Sequence, residues 1–239
     1  MSTELTFPCA LSLTREIADF PIGNIPLSRH SRSVGVSPTS WLPPDLTIRY
    51  PWDLLRANEL YISSLTENVI LGDVHPLAVI EGIVHIGPGT RILPGVFIEG
   101  NVVIGSNCKI GPNCYIRGNT SIGDHCHIGQ SVEIKNCLIL SHTNVGHLSY
   151  IGDSVLGEKV NLGAGTTTSN LRHDGKNHRS MVGGILVDTG RRKFGAIIGD
   201  GVHTGINTSI YPGRKLWPNT TTRPGEIVQH DLLPLITDH

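Results

Sequence analysis

Isoleucine recurs at every sixth position along one stretch: Ile80, Ile86, Ile92, Ile98, Ile104, Ile110, Ile116, Ile122, Ile128 and Ile134. Such a period fits neither an amphipathic α-helix, at about 3.6, nor a lone alternating strand, at about 2. It is the signature of a hexapeptide β-helix. Glycine follows several of these isoleucines, at Gly87, Gly105, Gly111, Gly123 and Gly129. Four residues after an isoleucine comes a second compact side chain, as at Val102, Cys108, Cys114, Thr120, Cys126 and Val132. Each repeat reads as a short flat strand and a turn. At three repeats per coil, one coil takes about 18 residues, and coils stack about 4.8 Å apart. The isoleucines fill the prism, and the glycines permit tight turns at positive φ. The expected fold class is all-β, a parallel β-helix of hexapeptide repeats.

Residues 1–50 carry no repeat. Prolines at Pro8, Pro21, Pro26, Pro38, Pro43 and Pro44, beside a basic cluster of Arg29, His30 and Arg32, predict an irregular, partly extended segment. Pro51 suits a first helical turn, and PWDLLRANELYI supplies an apolar side through Leu54, Leu55 and Tyr61. A helix over 51–66 is expected to cap the first coil, where core and strand edges otherwise lie open. The solenoid should occupy 67–228. Its register slips after Ile134, the next corners falling at Val145, Ile151, Leu156 and Leu162 in steps of 6, 5 and 6. Slips of this kind often re-aim side chains beside sites. A polar loop protrudes over 170–195, and long insertions in compact domains are usually functional or disordered. Repeats resume at Ile198, Thr204, Ile210, Leu216 and Thr222, and 229–239 form a tail with a short apolar cluster.

Composition narrows the function. The net charge of −1 implies no global attraction to nucleic acid or membrane. Aromatics at 5% and 28 glycines suit thin coils with little room for rings. Of the cysteines, Cys108, Cys114 and Cys126 fall on the small inward position, and with Cys9 and Cys137 they form no CxxC pair. No secretory signal or apolar run of membrane length is present, so the cytoplasm is the expected compartment.

The repeat also acts as a ruler. Arg117 follows Ile116 and Lys135 follows Ile134, one coil of 18 residues apart, so the two cations stack on one edge. A phosphate between them would relieve their repulsion; a solvated edge, or pairing with Glu133 or another acid, would do so too. Tyr150 precedes Ile151 at the same corner of the next coil, and His147 lies in the turn before it. An outward histidine can titrate near neutral pH.

VEIK, GHLSYIGD and VNLGAGTTTSN, within Val132 to Lys176, resemble the acetyltransferase domain of the bifunctional N-acetylglucosamine-1-phosphate uridyltransferase/glucosamine-1-phosphate N-acetyltransferases. TGRRKFGAIIGDGVHTGIN and PWDLLRAN are similar to the archaeal-type sugar-1-phosphate acetyltransferases, and the resemblance covers roughly residues 70–225. It implies a triangular, left-handed winding, a homotrimer with sites between adjacent prisms, and acetyl-CoA as cosubstrate, with no metal required. Carried over residue by residue, it makes His147 the catalytic base. It makes Arg117 and Lys135 ligands of the sugar phosphate, with Tyr150 and Asn161 holding the sugar. Ala164 and Asn170 line the acetyl-CoA end, and Lys176 reaches a neighbouring subunit's site. The basic residues Arg191, Arg192, Lys193 and Arg214 are candidates for the coenzyme A phosphates. The family's nucleotide-binding domain has no counterpart here, so no uridylyl transfer is expected and a separate nucleotidyltransferase becomes a possible partner.

Two rivals remain at this stage. His142 and His147 have the spacing of a zinc-dependent, carbonic anhydrase-like hydratase, with His125 or His127 one coil away as a third ligand. A non-catalytic binding or scaffold protein on the same fold is the other.

Overall fold

The computed structural model describes residues 19–26 and 46–234. The chain winds into a prism with three parallel sheets as its faces. The first face holds eight strands, from Val69–Ile70 to Lys215–Leu216; the second holds six, from Asp73–Val74 to Asn161–Leu162; the third holds eight, from Val79–Glu81 to Ile227–Val228. The isoleucines stack as the period demands. Ile98, Ile116 and Ile134 are cross-strand partners on the third face, as are Ile86, Ile104 and Ile122 on the first. Nine of the ten belong to the central core; Ile80, in the first coil, is partly buried and packs against it. After Ile134 the coils shorten by one residue, pairing Ile134 with Ile151 and Val145 with Leu162.

The glycines that follow the isoleucines serve stacking more than turning: of Gly87, Gly105, Gly111, Gly123 and Gly129, only Gly111 has a positive φ. Gly129 has no positive φ, but a Cβ there would lie 1.8 Å from the Gly146 carbonyl oxygen of the next coil. Many left-handed corners instead use Asn107, Asn113, His125, Asn136, His142 and Asp153. Asparagine and aspartate tolerate that region better than most residues.

The helix, Pro51–Ser63, does not close the end of the prism as expected. It lies along the first face, against the strands Thr120–Ile122, Leu138–Ile139 and Val155–Leu156. The reason is apolar side chains on the outside of that face. Leu138, Leu140, Val155 and Ile197 form a second core with Trp52, Leu54, Leu55, Ala57 and Phe194. In place of a wholly irregular lead-in, Pro21–Ile22 and Ile25–Pro26 pair as a hairpin through Gly23 and Asn24, both at positive φ. Phe20 and Ile22 of this hairpin are fully buried. Asn58 locks the layers together: its Oδ1 accepts from the Gly23 N–H and the Ser121 hydroxyl, and its Nδ2 donates to the Asn119 carbonyl.

The insertion begins at Asn170 and returns at Phe194, whose N–H donates to the Asn170 carbonyl at 2.9 Å. Between these points stands an ordered hairpin, Arg179–Val182 with Ile185–Asp188. At the other end the coil pattern runs past 228, because Leu232 bridges Leu216 on the first face. The basic cluster at Arg29, His30 and Arg32, Cys9, and residues 235–239 lie outside the described residues. No helix among the described residues is long and apolar enough to cross a membrane.

Cys108, Cys114, Cys126 and Cys137 are buried in the prism without disulfides. Burial pushes the Cys114 and Cys137 thiols up to about 12, far from the reactive thiolate. Ellman's reagent is therefore expected to leave these four untouched in the native protein and to titrate them only after denaturation. Rapid native labelling of any of them, mapped by mass spectrometry, would contradict the packing.

Candidate active site

Arg117 and Lys135 are cross-strand partners in register on the third face, so the ruler places them side by side. It does not leave them unpaired. Arg117 Nε and Nη2 donate to Glu133 Oε1 at 2.9 and 2.7 Å, and the guanidinium lies 5.2 Å over the Tyr115 ring. The Glu133 carboxylate holds the guanidinium above its ordinary pKa. Lys135 Nζ donates to both oxygens of Asp153, at 2.9 and 3.2 Å. Acids within the chain thus relieve the repulsion, the alternative the sequence left open beside a phosphate. Both cations still keep N–H groups that these acids do not take, because guanidinium has five and ammonium three.

Asp153 organises this face. Its side chain is 3% exposed, against 17% for Lys135. It also accepts from Asn136 Nδ2 at 3.0 Å and from Asn170 Nδ2 at 2.6 Å. Asn170 Nδ2 lies 3.0 Å from the Tyr150 hydroxyl as well, so four polar side chains meet here. Burial first, then the Asp153 and Glu133 carboxylates, push the Tyr150 phenol up, so it stays neutral and able to donate.

His147 ends the second-face strand Asn144–His147 and is exposed at the corner leading to Tyr150. Its carbonyl accepts from the Gly165 N–H at 3.1 Å, which stacks the Ala164–Gly165 corner on it. No described group hydrogen-bonds its ring. Asn161 is exposed on the second face, paired with Asn144 and bridged to His203. His147 and Ala164 therefore share a corner, with Asn161 on one side and the Tyr150 cluster on the other.

The insertion carries the remaining candidates. Lys176 is exposed, and its backbone N–H donates to Asp174. Arg192 is exposed and donates to the Gly175 carbonyl. Arg191 departs from its expected place at a cosubstrate phosphate: its guanidinium donates to Glu59 of the helix at 2.5 and 3.3 Å and is 15% exposed. An open cleft of about 530 Å³ adjoins Asn170, lined in part by Ser169, Leu171, Arg172, Tyr211 and Pro212.

The histidine pair of the zinc reading is split. A whole strand separates His142 from His147, roughly 15 Å at about 3.3 Å per residue. His142 instead stacks on His125, with ring centroids 4.9 Å apart and planes at 3°. Among the described residues, no three His, Cys, Asp or Glu side chains are grouped so as to hold a metal ion.

Asp153, Asn136 and Glu59 are polar partners that sequence reasoning missed. Asp153 stood inside GHLSYIGD, 18 residues after Lys135, and that spacing was its one available signal.

Residues 98–221 match the family model described as the GMPPB C-terminal domain. A bifunctional sugar-1-phosphate nucleotidylyltransferase/acetyltransferase of Sulfurisphaera tokodaii is 41% identical over 187 residues, covering 78% of this chain and 47% of that protein. A bifunctional protein GlmU of Methanococcus aeolicus is 41% identical over 182 residues, covering 76% and 44%. The chain thus spans about half the length of the curated relatives it matches. A solved UDP-N-acetylglucosamine acyltransferase is similar at 14% identity and a TM-score of 0.25, covering 68% of each chain.

Proposed function

The chain belongs to the GMPPB C-terminal domain family, and we propose that it is an acetyl-CoA-dependent N-acetyltransferase. Its acceptor is an amino-sugar 1-phosphate such as glucosamine-1-phosphate, acetylated as a precursor of a nucleotide sugar. One observation carries this reading. Two cations with free N–H groups stand in register, one corner from an exposed histidine, in a chain 41% identical to a protein named a nucleotidylyltransferase/acetyltransferase.

Arg117 and Lys135 hold the phosphate and so fix the amine. Tyr150 and Asn161 flank the corner where the sugar sits. The amine attacks the thioester carbonyl as a neutral nucleophile. His147 takes the proton that the amine loses, and returns it to the thiolate that leaves when the tetrahedral adduct collapses. The N–C bond forms, the C–S bond breaks, and the proton ends on sulfur. Acetyl-CoA enters past Ala164 and Asn170, and the cleft lined by Leu171 and Tyr211 suits its long, thin arm. Arg192 remains a candidate for its phosphates; Arg191, tied to Glu59, does not. The second and third faces diverge from the corner at His147, so a neighbouring prism is needed to close the site. Lys176, on the protruding insertion, is the group to reach across in a homotrimer.

Thiol release from acetyl-CoA tests the reading. Release is expected with glucosamine-1-phosphate or galactosamine-1-phosphate and not with glucose-1-phosphate, which lacks the amine. Equal release with glucose-1-phosphate would overturn it.

A further inference from the structure

We infer that Glu59, on the helix outside the repeat, is a positioning residue that sets Lys135 for the phosphate-bearing substrate by holding Asp153 in place; the inference rests on the acetyl-transfer reading above. Glu59 is distant in sequence from every candidate site residue. Its carboxylate is 16% exposed and grips two elements at once. Oε1 accepts from Asn136 Nδ2 at 2.8 Å, and both oxygens accept from Arg191 at 2.5 and 3.3 Å.

Two routes run from Glu59 to the site. In the first, the Asn136 amide has two N–H groups and places one on Glu59 and the other on Asp153. A flipped amide would aim its oxygen at two carboxylates, so Glu59 fixes the amide's orientation. Asp153 in turn holds Lys135 Nζ and Asn170 Nδ2. A phosphate arriving at Lys135 competes with Asp153 for the ammonium. The two asparagines keep Asp153 from following, and the third N–H of Lys135 stays available to the ligand. In the second route, Arg191 sits at the neck of the insertion, three residues before Phe194, whose N–H holds the Asn170 carbonyl. Both routes converge on Asp153, the first through Asn136 and the second through Asn170, whose amide holds its other oxygen.

The network also pairs its buried charges, with the exposed Arg56 guanidinium 3.7 Å from Glu59 as well. Glu59 and Asp153 face Arg191 and Lys135, and the paired carboxylates and cations are all largely buried. Without Glu59, the Arg191 guanidinium is left without an acid and Asn136 is free to turn.

The test is steady-state kinetics of the full chain carrying Glu59→Ala or Glu59→Gln. Glu59→Ala is expected to raise KM for glucosamine-1-phosphate about tenfold, with KM for acetyl-CoA within about twofold and kcat within about threefold of wild type. Glu59→Gln keeps an acceptor oxygen for Asn136, and it should recover most of that loss. A general structural role would move both KM values together or lower kcat alone, and either result overturns the inference, as does an unchanged KM. If Glu59→Ala does not fold, Glu59→Gln must still show a selective rise of about twofold to threefold in KM for the sugar phosphate. A wild type without transferase activity refutes the acetyl-transfer reading rather than this network. Calorimetry with inorganic phosphate then decides: a similar weakening in Glu59→Ala supports the network, and equal affinity sinks it.

Discussion

Replacing His147 with alanine is expected to lower kcat for acetyl transfer at least about a hundredfold, with KM for the sugar phosphate nearly unchanged. The size follows from what a general base supplies, about 10²–10⁴-fold. The selectivity follows from geometry. His147 sits alone at its corner, with no described group bonded to its ring, whereas the proposed phosphate ligands lie on the third face and do not contact it. Its removal takes away a proton acceptor and leaves the binding face intact. Because the ring is exposed, the variant should also unfold within about 0.5 kcal/mol of wild type. Full activity in His147→Ala would reject it as the base. A parallel loss of stability would move the explanation from chemistry to folding.

The second large effect is on stability. Asp153→Ala should destabilise the protein by about 3 kcal/mol, the lower end for breaking a buried ion pair, because Lys135 keeps some contact with solvent. The deletion strips Lys135 of its acid and leaves the Asn136 and Asn170 amides short of an acceptor. For a chain of this size the loss corresponds to a drop in Tm of roughly 6–12 °C, readable by thermal or urea denaturation. A compensating change sharpens the test. Asp153→Asn combined with Lys135→Met removes both charges at once, keeps a residue that tolerates the φ of 49°, and should recover much of the stability, since no unpaired buried charge is left. If the double variant is as unstable as Asp153→Ala, shape at this corner, and not the ion pair, is what matters.

The Ile80–Ile134 register was enough to predict a stacked β-helix and, at three repeats per coil, the cross-strand pairing of Arg117 with Lys135; the triangular section rested on the family resemblance. The slip after Ile134 was legible as a break in that period. The helix was legible as a helix, but its seat was not. Its place on the first face follows from outward Leu138, Val155 and Ile197, each beside an inward Ile139, Leu156 or Ile198. Adjacent apolar pairs of this kind mark a strand buried on both sides, and that signal was available. The acids were harder to see. Glu133 was on the page as one alternative and proved to be the partner of Arg117. Asp153 sits at a corner where its direction depends on a φ of 49°, which no period specifies. Glu59 meets Asn136 across 77 residues of chain, through the rotation of a helix about its own axis. Contacts of that kind come from packing, not from pattern.

The most direct measurement is product analysis. The purified chain is incubated with acetyl-CoA and glucosamine-1-phosphate, and the sugar fraction is read by mass spectrometry. The account predicts a sugar phosphate heavier by one acetyl group, carried on nitrogen, formed by wild type and abolished in His147→Ala. Unmodified glucosamine-1-phosphate after prolonged incubation with wild type, or an acetyl group carried on oxygen, would contradict it.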